Sequence, residues 1–342
     1  MTNSKTPINH NHDRFFRKLT FFTVVTVYLL IAAGGIVRST GSGMGCPDWP
    51  KCFGSWVPPT EAYQLPSDYK ELYGARLKGE VEFNVVKTWT EYVNRLLGVF
   101  TGLLIFGTLL ASIPYLRSTR STLFYASLSA FILVGFQGWL GAKVVSTELH
   151  PLMVTLHMIV AIIIVFILIY ILFKSYPFPT SFTATPDEYT SRLRPLTILV
   201  IVLSFGQVML GTQVREAMDG VISSLGYAVR GQWIEQLGLQ FYIHRSFSIV
   251  VFGANAVLAY RILQMKSLPK IVQQLAKGII AVVLIEILTG IIMAYFAVPA
   301  FAQPIHLTFA VIMLGMQYGL WLGTSDAILP AKERVDKSYQ PQ

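Results

Sequence analysis

The chain has 342 residues, of which 53% are hydrophobic and only 13% are charged, and its mean hydropathy is +0.54. Soluble domains carry nearer a quarter charged residues, so this composition excludes an ordinary water-soluble protein. Two cysteines exclude a disulfide-rich secreted scaffold and a four-thiolate zinc site. The net charge of +9 is distributed between long apolar stretches rather than along one basic face, so nucleic acid is not expected as a partner.

Eight apolar stretches are long enough to cross a lipid bilayer, whose core of about 30 Å takes roughly 20 residues of helix. The sequence therefore predicts an all-α integral membrane protein with eight transmembrane helices. The predicted spans, numbered 1 to 8 in chain order, are residues 19–37, 94–113, 123–145, 152–173, 196–214, 242–262, 278–298 and 304–322.

The charged residues between the spans predict the orientation. The N-terminus, the second, fourth and sixth connections and the C-terminal tail together hold sixteen Lys and Arg residues against six acidic ones, whereas the other side holds eleven of each. An excess of positive charge marks the cytoplasmic side, so we expect both termini in the cytoplasm. The first span is too long for a cleavable signal peptide, and no Arg- and Ser-rich transit peptide precedes it, which favours a bacterial plasma membrane.

Sequence matches that recur in the same order indicate an internal duplication. Each copy holds four spans, an even number, so the two copies run parallel in the membrane. The predicted fold is therefore two parallel-repeat four-helix bundles, each able to contain a cofactor. The matched segments are 91–95 with 241–245, 141–157 with 290–306, and 37–38 with 214–215.

The predicted domain organisation follows from these spans and their connections. It consists of a cytoplasmic N-terminus (1–18), an N-terminal bundle (19–173) with a long outer loop (39–90), a cytoplasmic linker (174–195), a C-terminal bundle (196–323) and a cytoplasmic tail (324–342).

Three histidines, His157, His244 and His306, lie near the outward ends of predicted spans. One such histidine is more often a core side chain bonded to a neighbouring carbonyl, but three at repeat-related positions indicate function, because polar groups at membrane depth are costly. Neutral imidazole is a good ligand for haem iron, and facing helices can supply both axial ligands. We predict that His244 and His306 hold a haem in the C-terminal bundle. Zinc is disfavoured because no cysteine or carboxylate cluster completes a tetrahedron.

The N-terminal bundle differs in one potential ligand. His157 matches His306, but Asn94 stands where the C-terminal bundle has His244. Asparagine is a poor ligand for haem iron, so this bundle offers only one evident imidazole.

A polar helix face accompanies this difference. Glu91, Asn94 and Arg95 are spaced i, i+3 and i+4, so they share one face at the mouth of the N-terminal bundle. This face is either a Glu–Arg pair at the end of a helix or a catalytic surface. The contrast between the bundles favours catalysis in the first and a retained, electron-carrying haem in the second.

The long outer loop contains both cysteines, Cys46 and Cys52, in a proline-rich segment. The outer side is an oxidising compartment, so we predict a disulfide that constrains the loop, with two independent thiols as the alternative. Their spacing does not distinguish a structural bridge from a redox-active one.

The glycine- and cysteine-bearing segment 35–52, followed by Glu-Tyr-x-x-Arg at 91–95, resembles the haem A synthase family of cytochrome oxidase assembly, and so do the histidines near the starts of spans 4, 6 and 8. The resemblance extends over all eight spans. It implies an enzyme that hydroxylates the C8 methyl group of haem O twice and thereby forms the formyl group of haem A. It also implies a resident haem b and, as partners, the membrane-bound synthase that supplies haem O and an external, ferredoxin-like electron donor.

The resemblance assigns roles to six residues. His244 and His306 correspond to ligands of haem b, His157 to an N-terminal ligand near substrate haem, Glu91 to the carboxylate implicated in activity, and Cys46 and Cys52 to the outer-loop cysteine pair.

The chain departs from the family at Asn94, where the family usually has histidine. Three outcomes are open: a five-coordinate substrate haem, a replacement ligand such as His150, or a degenerate site. Asn94 and Arg95 are then candidate contacts of the substrate. Besides haem A synthase, the alternatives are a non-catalytic b-type cytochrome or haem-handling assembly protein and, less favoured, a small-molecule transporter. A homo-oligomer is left open.

Other polar residues also have two possible roles. Mid-span Glu286 is either a protonated carboxyl bonded to a neighbour, which is favoured, or a proton relay. Four arginines near the outer boundary contact either haem propionates or lipid headgroups, namely Arg38, Arg95, Arg215 and Arg245.

Overall fold

The computed structural model describes residues 10–74, 83–176, 187–266, 268 and 270–324, and this part of the chain is helical, with one isolated β-bridge. Eight of its helices are long and apolar enough to cross a membrane, which confirms the prediction of an all-α, multi-pass membrane protein. They are α1 (His10–Ser39), α2 (Val85–Ser112), α3 (Thr122–Ser146), α4 (Pro151–Ser175), α5 (Asp187–Leu225), α6 (Leu239–Gln264), α7 (Lys270–Tyr295) and α8 (Ala302–Gly323).

Helices α3, α4, α6 and α8 begin and end within three residues of their predicted spans. The other four extend further into polar sequence, because a helix that leaves the hydrocarbon core keeps satisfying its own backbone hydrogen bonds. Helix α2 begins at Val85 rather than at residue 94, so the last six residues assigned to the outer loop are helical. Helix α7 ends at Tyr295 rather than at residue 298, because Ala297 and Val298 adopt left-handed backbone conformations (φ of 55° and 50°) that terminate it.

The helices pack as two rings of four. In the first ring α1 contacts α2, α2 contacts α3, α3 contacts α4, and α4 returns to α1, and helices α5 to α8 repeat this order in the second ring. As a result, α2 and α4 lie diagonally across the first ring, and α6 and α8 across the second. The parallel duplication inferred from the sequence stays a prediction. The predicted segments 1–18, 174–195 and 324–342 lie partly outside the described residues.

The rings meet along α8, which contacts both α1 and α4. Gly315 of α8 makes this close approach feasible: a Cβ atom there would lie 2.1 Å from the Tyr28 hydroxyl and 2.9 Å from Cδ1 of Ile169. Small residues at such crossings let neighbouring helix backbones come close together. The apolar core is therefore continuous between the two rings.

The two ends of the molecule differ in their connections. We name the end that carries residues 40–74 the loop end, and the opposite end, where α1 begins, the tail end. At the tail end, Asp13 accepts hydrogen bonds from Tyr115 and Arg120, which ties α1 to the connection between α2 and α3. Helices α2, α4, α6 and α8 all begin at the loop end, and their first turns build the candidate site.

Candidate functional site

The three predicted ligand histidines all lie at the loop end, each in the first turns of its helix. Every one of these rings faces a glycine of the preceding helix. A Cβ atom built at that glycine would lie 3.3 to 3.8 Å from Cε1 of the ring. A Cβ atom at Gly141 or Gly290 would be in ordinary contact with the imidazole, whereas one at Gly211 would press on it. The pairs are Gly141 with His157, Gly211 with His244, and Gly290 with His306.

His244 of α6 and His306 of α8 face each other across the second ring. Their ring centres are 6.3 Å apart and their planes are inclined at 72°. A metal–imidazole bond is about 2 Å long, and the ring centre lies about 1 Å further, so two imidazoles on opposite sides of one iron have centres roughly 6 Å apart. The observed separation fits a haem bound by both histidines.

The other nitrogen of the His306 ring is held from α7. The Thr289 hydroxyl lies 2.9 Å from His306 Nδ1, 2.8 Å from the carbonyl oxygen of Ile285 and 3.1 Å from that of Glu286. When the hydroxyl donates to either carbonyl, its oxygen is available to accept from Nδ1–H. A carboxylate oxygen of Glu286 lies 3.3 Å from the same nitrogen. An imidazole that donates from Nδ1 leaves its Nε2 lone pair free for a metal. Thr289 was not among the predicted site residues, and its position three residues after Glu286 was the only signal.

His244 and His157 are held through their backbones instead. Gln207 Nε2 donates to the carbonyl oxygen of His244 at 2.9 Å, and Gln137 Nε2 donates to that of His157 at 2.8 Å. The buried Nδ1 atom of each ring has no hydrogen-bond partner within the described chain. Buried polar atoms rarely stay unsatisfied, which is consistent with sites that accommodate a bound group.

A bare metal ion fits this arrangement less well than a haem. Among the described residues, no three His, Cys, Asp or Glu side chains come together so that they could hold an ion. A porphyrin supplies four nitrogen ligands of its own, so a haem needs only one or two from the protein. The donor set of the second ring therefore suits a haem iron.

The first ring brings Asn94 of α2 to the position diagonally opposite α4, which carries His157. The Asn94 Oδ1 atom is buried, with no hydrogen-bond partner in the described part of the chain. The proposed replacement ligand His150 lies elsewhere: it is exposed, and its Nδ1 accepts a hydrogen bond from the backbone N–H of Leu152 as the N-cap of α4. The structure therefore brings one histidine, not two, to the mouth of the first ring.

Glu91 and Arg95 form a buried ion pair on α2, with Arg95 NH2 2.5 Å from Glu91 Oε1. Glu91 Oε2 accepts a hydrogen bond from the backbone N–H of Cys46 at 2.9 Å. Arg95 donates to the carbonyl oxygens of Cys46, Asp48 and Lys51 at 2.7 to 3.0 Å. The pair therefore anchors the cysteine-bearing loop on α2, a role that sequence analysis considered only as a helix-end ion pair.

Cys46 and Cys52 form a disulfide bond, as predicted. The enclosed turn is held by Asp48, whose carboxylate accepts from the backbone N–H groups of Phe53 and Gly54 at 2.6 and 2.8 Å. Gly45 is required where the loop crosses α2, because a Cβ atom would lie 2.4 Å from the carbonyl oxygen of Lys87. The loop thus forms a fixed cover over the mouth of the first ring.

The second ring also has a cover, formed by the connection between α5 and α6, and this cover was not predicted. Residues 226–238 connect α5 to α6 and include the buried indole of Trp233, which packs against Met218 and Val298. The Trp233 Nε1–H donates to the carbonyl oxygen of Gly226 at 3.1 Å. Gly226 and Trp233, in the connection between spans 5 and 6, were the available signal.

Arg38 and Arg215, at matched positions of the two rings, share one carboxylate. Asp219 accepts from Arg38 at 2.7 Å and from Arg215 at 2.8 Å. Arg245 instead stacks on the rings of Phe241 and Tyr242. Asp219 was not a predicted residue, although its position four residues after Arg215 was a signal.

This fold and site define a multi-pass membrane protein with a facing histidine pair suited to haem. The family described as cytochrome oxidase assembly protein matches residues 17–318, and the chain belongs to that family. It is 25% identical over 333 residues to Heme A synthase of Rickettsia prowazekii (strain Madrid E), and the matched region covers 89% of this chain and 96% of that protein. It is also 27% identical over 330 residues to Heme A synthase of Rickettsia felis, which covers 87% of this chain and 95% of that protein. The resemblance to the haem A synthase family is confirmed.

Proposed function

We propose that this protein is a haem A synthase that oxidises the C8 methyl group of haem O to a formyl group during cytochrome oxidase biogenesis. Family membership over residues 17–318 and relatives named Heme A synthase support a role in haem A biosynthesis. The observation that carries the proposal for this chain is the facing pair His244 and His306, whose ring centres are 6.3 Å apart. Two successive hydroxylations of the methyl group, each of which consumes one dioxygen, two electrons from the donor and two protons and releases one water, give a geminal diol, and loss of water from the diol leaves the formyl group.

Each ring has its own task in this proposal. His244 and His306 hold a resident haem b, which when bound supplies one-electron transfer. His157 holds the iron of substrate haem O at the mouth of the first ring, and Asn94 and Arg95 line that mouth. Electrons come from an external, ferredoxin-like donor, and haem O comes from its membrane-bound synthase.

Glu91 is the proposed catalytic residue. It is a buried carboxylate at the mouth of the first ring, and within that ring it lies one helical turn before Asn94. Its carboxylate holds a proton or stabilises positive charge beside the reacting methyl group. Because Glu91 also bonds to the N–H of Cys46, its replacement tests two roles at once, and they have to be measured separately.

The function is tested by expressing the chain with a source of haem O and analysing the haems extracted from purified protein. We expect haem A from the unaltered chain and at least a tenfold lower yield from Glu91→Gln, which keeps side-chain size but loses the charge. Protease sensitivity of residues 46–60 reports loop anchoring in the same samples. Equal haem A yields from both proteins would refute the role of Glu91.

The second candidate is a non-catalytic b-type cytochrome or haem-handling assembly protein. It is favoured by one observation: the first ring has Asn94 where the second has a histidine. It predicts a bis-histidine optical spectrum that is lost in His244→Ala and His306→Ala, and no haem A from haem O. An unaltered chain that binds haem but yields no haem A would select this candidate.

A further inference from the structure

In the second ring the His244 imidazole packs against Gly211 of α5, and the first ring lacks the equivalent contact. Gly34 of α1 occupies the position in the first ring that Gly211 of α5 occupies in the second, by the match of residues 37–38 with 214–215. A Cβ atom at Gly211 would lie 3.3 Å from the His244 ring, whereas one at Gly34 would have nothing within 4 Å. The volume that an imidazole fills in the second ring is therefore open in the first.

Asn94 is the polar residue that the first ring has in place of a histidine. The matching residue in the second ring is His244, 150 positions later, and asparagine has a shorter side chain. Its buried Oδ1 atom lacks a hydrogen-bond partner among the residues described. An amide presents an acceptor oxygen and two N–H donors, but it is a poor ligand for haem iron.

Neighbouring side chains do not replace the absent histidine. His150 is exposed and caps α4. Glu91, one helical turn from Asn94, has one oxygen bonded to Arg95 and the other to the N–H of Cys46. His150 is therefore engaged at the start of α4, and Glu91 is engaged by Arg95 and the loop. Neither side chain is available as a second iron ligand.

We propose that the first ring binds a haem through His157 alone and leaves the opposite coordination position, beside Asn94, accessible to a small neutral diatomic ligand of the class that includes CO. The second ring, with His244 and His306, holds its haem iron with both positions filled. This inference rests on the proposed function for the presence of a haem in the first ring.

The test uses the purified full chain, reconstituted with haem O and haem b under argon and reduced with dithionite. Haem content is measured by pyridine haemochrome, and CO binding by difference spectroscopy. We expect two haems and one bound CO per chain. Asn94→His should keep both haems and lower CO binding at least tenfold, because the new imidazole fills the open position.

A matched variant in the other ring makes the test independent of how Asn94→His folds. His244→Asn reproduces the first-ring arrangement in the second ring, so we expect it to raise CO binding to two per chain. Two haems without CO binding in the unaltered chain would overturn the inference, and so would an empty first ring.

The failure of this inference is distinguishable from failure of the proposed function. A chain that forms haem A but binds no CO while holding two haems retains the function and loses the inference. A chain that binds one CO per two haems but forms no haem A retains the inference and loses the function.

Discussion

The hydrogen bonds to the ring nitrogens distinguish His306 from the other two histidines. Its Nδ1 lies 2.9 Å from the Thr289 hydroxyl and 3.3 Å from the Glu286 carboxylate. Such partners behind a metal-binding histidine fix its orientation and increase its donation to the metal. Gln137 stands 149 positions before Glu286, the displacement of the repeat, and it bonds to the His157 backbone instead. His306 is therefore the more strongly held and more electron-donating ligand of the proposed haem b.

This asymmetry predicts a change in reduction potential. Glu286→Leu removes the carboxyl oxygen that lies 3.3 Å from His306 Nδ1, so the ring donates less electron density to the iron, the oxidised state loses stabilisation and the midpoint potential rises, on the order of tens of millivolts. A spectroelectrochemical titration of the purified haem-loaded protein measures it.

Thr308 of α8 provides the control for Glu286 and Thr289, which both lie on α7. Thr289→Val should shift the potential in the same direction, whereas Thr308→Val should not, because the Thr308 hydroxyl donates to the carbonyl oxygen of Pro304 rather than to a ligand ring. An unchanged potential in Glu286→Leu, with the bis-histidine spectrum intact, would show that the carboxyl group does not act through His306.

At the scale of elements, the long loop is held by the first turns of α2. Besides the Glu91–Arg95 pair, the Trp89 indole donates to Pro59 O at 3.2 Å and the Tyr92 hydroxyl donates to Trp56 O at 2.7 Å. Side-chain donors that bond to the backbone carbonyls of a loop hold the loop in place without regular secondary structure. The cover over the first ring therefore depends on the side chains of one helix face.

Arg95 contributes most to this contact, because its guanidinium reaches the Glu91 carboxylate and three loop carbonyls at once. A lysine has one ammonium group and cannot match that planar set of donors. We expect Arg95→Lys to raise the rate of proteolytic cleavage within residues 46–60 at least tenfold, measured by mass spectrometry of the purified protein.

The repeat provides the control for this prediction. Arg245→Lys makes the same substitution at the matching position of α6, where the arginine stacks on Phe241 and Tyr242 and makes no hydrogen bond to the described loop residues. Its cleavage rate within residues 46–60 should equal that of the unaltered chain. Equal rates in both variants would show that Arg95 does not hold the loop.

At the scale of the whole molecule, the sequence predicted most of the fold because transmembrane helices carry a strong local signal. Eight apolar stretches identify eight helices, and His157, His244 and His306 stand out because polar groups are rare at that depth. Helix ends were less predictable, since the polar turns of α1 and α5 have no apolar signal. The contacts of Thr289 and Asp219 depend on side chains from other helices, which sequence patterns do not specify.

The orientation of the two rings is the remaining prediction at this scale. Sixteen basic against six acidic residues on the tail-end side, and eleven of each on the other, place the tail end in the cytoplasm. The loop end, with its disulfide, would then face the oxidising exterior. Both sides offer exposed positions for labelling, Arg14 at the tail end and Thr60 in the loop.

Single-cysteine variants test this orientation directly, because both native cysteines are joined in the disulfide. In intact bacterial cells, a membrane-impermeant maleimide should label Thr60→Cys, and it should label Arg14→Cys only after the membrane is permeabilised. The unaltered chain gives the background, and denatured samples give the full extent of labelling. Labelling of Arg14→Cys in intact cells, with Thr60→Cys protected, would show that the charge distribution does not set the orientation and that the histidine ends of the helices face the cytoplasm.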